Sequence, residues 1–554
     1  MDMMRRHVFV AGVALAVLAT ACTAEEEPER DDAAEEVTDD DGGPGEPDAG
    51  GELVAALSSE PGGLNPAITT SGAVHFASHL FYNGLVDLDD DLEPTPELAD
   101  SWDVEDDGAL YRFHLRDDVT WHDGEPFTAE DVKFTFDEVL FEFHARTAAS
   151  VGSAIDEIVV VDEHTVEFHF DEPYAPLLQQ LDVGEAAILP RHVFEGTDIL
   201  ENPANDAPVG TGPFQFVSYT PDSEIVLEAN EDYTVRERPF LDRVVLRIMP
   251  EASSQVIALE TGEVDWVWRI PEPDVQRFDG DPDVEMLQTF RGAGSANCPM
   301  TMGFNLDRPV TSNLDVRTAI AHALDREAFV ERVLHGAGQV PQAPVHSNIE
   351  WATAEDAPFP EHDLEEAGRL LDAAGWVRDG DDTRVAQGVE GVEDGTPFEI
   401  DFLHFPTFVE YGELLRSQLA EIGIDVELRT LEPPVFIETV FEDRDFDTNI
   451  ISYCQSADPE IGVRRMFDSE QIGPVPFSNA AGYANPEVDA LFQEAVRTVG
   501  RDARGELYRG FQRIVAEDLP YIMVTEPLWN AAHTARCTGF KPYNQFAEQA
   551  RCEQ

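Results

Sequence analysis

The apolar positions of this chain switch repeatedly between a period of two and a period near 3.6. Residues 110–115 read Leu-Tyr-Arg-Phe-His-Leu, an alternation that predicts a half-buried strand with Phe113 and Leu115 on one face. Residues 52–57, 214–219, 400–403 and 424–428 predict further strands, and 158–161 with 165–170 predict a hairpin. Helical spacing marks residues 74–85, 316–334, 363–374, 411–422, 486–499 and 502–517. Thr128 and Asp131 form a capping box for a helix reaching Val139. Gly124, Gly210 and Gly212 fall in turns where a side chain would clash or φ must be positive. Residues 378–397 are acidic and glycine-rich and predict a surface excursion. Strands interleaved with helices predict an α/β architecture, and no internal repeat is visible.

Composition bounds the function. A chain of 554 residues exceeds one compact core and suits two or three domains. The 42% of hydrophobic residues suffices for packed cores. Asp and Glu number 112 against 35 Lys and Arg, a net charge of −77, and the only lysines are Lys133 and Lys541. Such a charge repels polyanions, which excludes nucleic acid and disfavours anionic lipid as partners. The acids are spread along the whole chain, so they predict a solvated acidic surface rather than one cationic-ligand site.

The first residues predict export. Arg5, Arg6 and His7 precede an apolar run over 8–18, then the small residues Ala19, Thr20 and Ala21, then Cys22. The run is too short to span a bilayer. A cysteine directly after the small residues resembles a bacterial lipobox, with Ala19 where leucine is usual; it predicts lipidation of Cys22, a signal peptide over 1–21 and an acidic tether over 22–51. The expected location is outside the cell membrane or in the periplasm, held by the lipid. Whether Sec or twin-arginine export is used stays open. Cys298, Cys454, Cys537 and Cys552 remain, an even number in an exported chain, and predict two disulfides. Of the three pairings, Cys537 with Cys552 closes a short local loop, which leaves Cys298 with Cys454.

Catalytic motifs are missing. There is no G-x-S-x-G elbow, H-E-x-x-H, P-loop, or G-x-G-x-x-G after a strand. The acid-rich run from Asp87 to Glu93 has Leu92 where a calcium loop needs glycine and Leu98 where it needs its bidentate acid. The histidines are scattered, and no metal or other cofactor is expected. A binding function follows as the first reading, and a secreted hydrolase with convergent acids in a cleft is the rival class.

Several blocks resemble the family 5 extracellular solute-binding proteins, the peptide and nickel receptors of ABC importers. Residues 98–140, LADSWDVEDDGALYRFHLRDDVTWHDGEPFTAEDVKFTFDEVL, carry the family's W, DG turn, W-x-DG-x-P and TAEDV in order. PVGTGPF over 208–214, EANEDY over 228–233, ALETGEVD over 258–265, GFN over 303–305 with VRTAIAHALD over 316–325, Asp458-Pro459 and Gly482-Tyr483 continue the pattern. The similarity spans about 52–535. It implies a two-lobe, periplasmic-binding-protein-like type II fold with an extra inserted domain. Lobe I would be 52–85, 208–292 and 520–554, the inserted domain 86–207, and lobe II 293–519. Ligand would bind between the lobes and favour their closure. A di- or oligopeptide is the expected ligand, with an oligosaccharide or other small solute next. A monomer is expected, acting with the membrane subunits of an importer.

The resemblance also implies site residues. Thr70 and Gly72 would face the cleft. Met300 and Met302 alternate on the strand entering Phe304, as cleft contacts or as core. Tyr453, Cys454 and Gln455 end a cleft-lining strand, and a disulfide to Cys298 would tie it to the neighbouring strand. Peptide-binding relatives carry an acid just after this strand end that pairs with the peptide amine. Here Gln455 and Ser456 stand there, and Asp458 is the remaining acid, as ligand contact or as loop cap beside Pro459.

Overall fold

The computed structural model describes residues 50–236, 239–278, 280–289, 297–380, 383–540, 547 and 549–553. The leader, Cys22 and nearly all of the tether lie outside the described residues.

Two sheets organise the body. The first has seven strands in the order Val284–Thr289, Trp529–Thr534, Trp266–Val267, Glu52–Leu57, Arg243–Ile248, Glu224–Ala229 and Phe214–Thr220. Glu52–Leu57 runs parallel to both of its neighbours. It is covered on both faces, with Leu53, Ala55 and Leu57 in one apolar cluster and Ala56 in another. That two-sided burial explains its nearly continuous apolar sequence. The second sheet has six strands: Gly338–Gln339, Tyr521–Pro527, Met300–Phe304, Thr448–Ser452, Glu399–His404 and Asp425–Thr430. A separate antiparallel sheet of Ala99–Glu105, Leu110–Leu115, Thr165–Phe170 and Ile155–Asp162 lies within 86–207. Phe113 and Leu115 are buried in its core beside Phe136 and Phe168.

The chain after 520 divides between the two sheets. Tyr521–Pro527 pairs with Met300–Phe304 in the six-stranded sheet, and the chain enters the seven-stranded sheet only at Trp529. Tyr521, Ile522 and Val524 are buried in the cluster around the six-stranded sheet, so the apolar content of this strand is satisfied there.

Three further expectations change. The helix expected over 316–334 is two helices, Leu314–Ala323 and Arg326–Arg332. Leu324 is extended, the Asp325 carboxylate accepts from the Ala328 N–H, and the Gln418 amide holds both backbone groups of Asp325. The side-chain cap and the tertiary clamp together outcompete helix continuation. The helix expected over 74–85 is Gly72–Ser78, because the Leu80 and Phe81 carbonyls accept from Phe214 and Gly212 instead. Residues 378–397 are more ordered than a surface excursion. Trp376–Asp379 and Thr383–Ala386 form a hairpin whose Arg384 is buried and bonded to the Ile422 carbonyl at 2.7 Å and to Asp372 at 2.5 Å.

Candidate functional site

The edges of the two sheets meet. Glu52–Leu57 and Trp266–Val267 run parallel, so Leu57 and Trp268 emerge at the same edge, where Trp529–Thr534 begins. In the other sheet, Ser452 pairs with Met300, and Met300 with Thr525, which places the ends of Thr448–Ser452 and Tyr521–Pro527 together. Leu528 alone separates Pro527 from Trp529, so the two edges adjoin. The carboxyl ends of parallel strands are where α/β sheets present ligand sites.

On the seven-stranded side stands an aromatic shelf. Phe76 stacks on Trp266 at 5.3 Å between ring centroids and on Trp268 at 5.9 Å. Trp268 stacks on Trp529 at 5.5 Å with 10° between planes. The Arg269 guanidinium lies 4.0 Å from the Trp529 ring centroid. Trp266 is buried, Phe76, Trp268 and Trp529 are half-buried, and Arg269 is exposed. Arg269 is exposed yet surrounded by protein, and that surrounding lowers its pKa. This combination marks a concave position.

On the six-stranded side, Phe405, Phe408 and Tyr411 form a second aromatic group. The Tyr411 hydroxyl bonds the Thr525 hydroxyl at 2.8 Å. Burial pushes Tyr411 up to about 12, opposed by the Thr525 bond and by the positive field of Arg269. A cavity of about 420 Å³ opens beside Arg269, with Ile270, Pro271 and Asn530 on one side and Leu334, Pro527 and Leu528 on the other. Its lining is mostly aliphatic, with Arg269, His335 and Asn530 as the polar groups, a composition that suits noncovalent capture of a small ligand.

The site residues expected from sequence divide into two groups. Thr70 and Gly72 are exposed at the start of helix Gly72–Ser78. The others are internal. Met300 and Met302 are 3% and 0% exposed in the core of the six-stranded sheet, the second of their two expected roles. The sheet is covered on the face they occupy, so thioethers there fill core space. Tyr453 is buried edge-on against Tyr521. Cys454 is bonded to Cys298, and Cys537 to Cys552. The buried Gln455 side chain accepts from the His346 N–H at 2.7 Å and donates to the Pro344 carbonyl at 3.0 Å.

Asp458 takes the second of its two expected roles, as the cap beside Pro459. It is fully buried, pairs with Arg504 at 2.6 Å, accepts from the Tyr508 hydroxyl at 3.2 Å and caps the Glu460 N–H at 3.0 Å. A carboxylate with these partners has no face left for a ligand amine. Tyr453, Gln455 and Asp458 are thus all enclosed in the protein interior.

Sequence reasoning missed Phe76, Trp268, Arg269 and Trp529. The available signal was Trp266-Val-Trp-Arg269 directly after the GEVD block, two indoles and a cation at a strand end. Among the described residues no three His, Cys, Asp or Glu side chains gather as a metal-ligand group. Among them, also, no helix is long and apolar enough to cross a membrane.

Known proteins share this architecture. The heme-binding protein A of Haemophilus influenzae is 28% identical over 519 residues, covering 88% of this chain and 89% of that protein. The dipeptide-binding protein of Escherichia coli is 27% identical over 505 residues, covering 85% and 88%. The solved structure of the oligopeptide-binding protein AppA from Bacillus subtilis with a nonapeptide superposes with a TM-score of 0.74 at 26% identity, covering 92% of this chain and all of that one. Residues 93–473 match the family described as bacterial extracellular solute-binding proteins, family 5, Middle. The chain belongs to the family 5 bacterial extracellular solute-binding proteins.

Proposed function

We propose that this protein captures a di- or oligopeptide between its two sheets and delivers it to the membrane subunits of an ABC importer, without covalent chemistry of its own. The observation that carries this reading is a cavity where the two sheets adjoin, beside the stacked Trp268, Trp529 and Arg269, in a chain similar to peptide receptors. Lobe I comprises 52–85, 208–292 and the chain from Trp529 onward, lobe II comprises 293–527, and 86–207 forms the inserted domain. Thr70 and Gly72 contribute to the ligand contacts from the lobe I loop. Cys22 carries the lipid, and the acidic tether gives the body reach above the membrane. The receptor acts as a monomer. A ligand that touches both lobes only when they are closed favours the closed state by that difference in contact.

A thermal-shift screen of the mature chain in high salt tests this. The panel holds di- to pentapeptides, oligosaccharides and metal chelates. Ligand binding to the folded state alone stabilises by about 2.7 kcal/mol at a hundredfold excess over Kd. The expected result is a raised midpoint with peptides and their recovery intact. A response to sugars alone overturns the peptide assignment. Cleaved peptides overturn the receptor reading in favour of a hydrolase.

A further inference from the structure

Arg269 is the anomaly of the cleft. Most arginines of this acidic chain pair with carboxylates, as 112 Asp and Glu against 35 Lys and Arg would lead one to expect. Buried guanidiniums without a carboxylate are satisfied by carbonyls instead. Arg317 bonds Leu519, Thr311, Ser312 and Asp518 oxygens, and Arg326 bonds those of Pro341 and Met523. Among the described residues, Arg269 makes neither kind of contact; its one partner is the Trp529 ring. Glu526, three positions before Trp529, bonds Ser347 and Gln339 instead.

Stacking holds the guanidinium plane without using its N–H donors. The indole beneath is itself fixed by Trp268 and Phe76. The five N–H donors of this guanidinium stand beside a cavity of about 420 Å³ whose lining is mostly aliphatic. A planar fork in a partly desolvated setting matches a carboxylate bidentately. Asp458, by contrast, is buried and already paired with Arg504.

We propose that Arg269, held on Trp529, recognises a carboxylate of the bound peptide, so that this receptor selects its ligand by the acid rather than by the free amine. The proposal rests on the peptide reading above. The terminal carboxylate and an acidic side chain offer the same chemistry, and the experiment separates them.

The test measures binding of tri- to pentapeptide pools to the mature chain by titration calorimetry and native mass spectrometry. The pools are free, N-acetylated or C-amidated. N-acetylation is expected to leave affinity within about threefold. C-amidation is expected to weaken binding about 10- to 100-fold, the range of a charge-assisted hydrogen bond. Retention of only Asp- and Glu-containing peptides from the amidated pool assigns the side-chain acid and also supports the proposal. Arg269→Gln is expected to erase the discrimination, and Arg269→Lys to restore part of it. Arg269→Gln should lower the unliganded melting midpoint only slightly, by the loss of the contact with Trp529. Equal binding of free and amidated pools, or undiminished discrimination in Arg269→Gln, overturns the inference while the peptide reading stands. Absence of binding by every pool overturns both.

Discussion

At the scale of the residue, the buried ion pair of Asp458 and Arg504 is the sharpest case. Removing one partner strands the other charge in a buried site, which costs about 3–5 kcal/mol. Asp458→Ala is therefore expected to lower the unfolding free energy by that much in denaturant titration, while the protein that remains folded binds peptide with unchanged affinity. Loss of affinity without loss of stability would return Asp458 to the ligand site. Titration adds a second residue-scale expectation. Burial raises Glu460 from 4.5 to about 7 against the pull of Arg464, and raises Asp182 from 3.8 to about 7. The folded state then holds protons that the unfolded chain has already released, so stability falls as pH rises through that window. Buried His75, His79 and His122 are lowered to about 4 by desolvation and act with opposite sign, from about 4 up to 6.5. Above pH 6.5 only the carboxylates contribute. The melting midpoint should decline from about pH 6.5 to about pH 8, and Glu460→Gln should flatten that decline. An unchanged slope in Glu460→Gln would assign it to other groups.

At the scale of the element, local chemistry was legible wherever a motif closes on itself. The Thr128 capping box is present, with the Asp131 carboxylate accepting from the Thr128 N–H at 2.9 Å. Asn485 and Asp363 cap their helices through side-chain oxygens, and the observed boundaries fall within a few residues of those the spacing predicts. The misread elements share one cause. The break at Leu324 needs Gln418 from 93 positions away, and the early end of helix Gly72–Ser78 needs the turn at Gly212. Gly210 belongs to the same turn. A Cβ there would sit 1.6 Å from the Phe81 carbonyl oxygen, within rigid backbone. Gly210→Ala is expected to destabilise by about 3 kcal/mol or more through overpacking. A midpoint within experimental error of the parent would show that the turn can shift.

At the scale of the molecule, charge dominates. A net charge of −77 opposes the compact state through self-repulsion. Raising ionic strength from about 0.1 M to about 1 M shortens the screening length from about 10 Å to about 3 Å. The melting midpoint should climb across that range, and to the same extent with chlorides of sodium and potassium. A flat response would show that paired acids already neutralise the surface.

Sequence by itself determined the family, the α/β class and the internal sheet positions, because these depend on periodicities and turns that each segment carries within itself. It also read the stretch from Tyr453 to Asp458 as the continuation of a strand, and Thr448–Ser452 ends just before it. Only the tertiary structure decided which of those side chains face solvent. Arg504 and Tyr508, 46 and 50 positions from Asp458, turn its carboxylate inward. Likewise Phe76, Trp268 and Trp529 become one shelf only after the seven-stranded sheet sets distant strands side by side. Burial and pairing are properties of contacts between remote segments, and no local pattern encodes them.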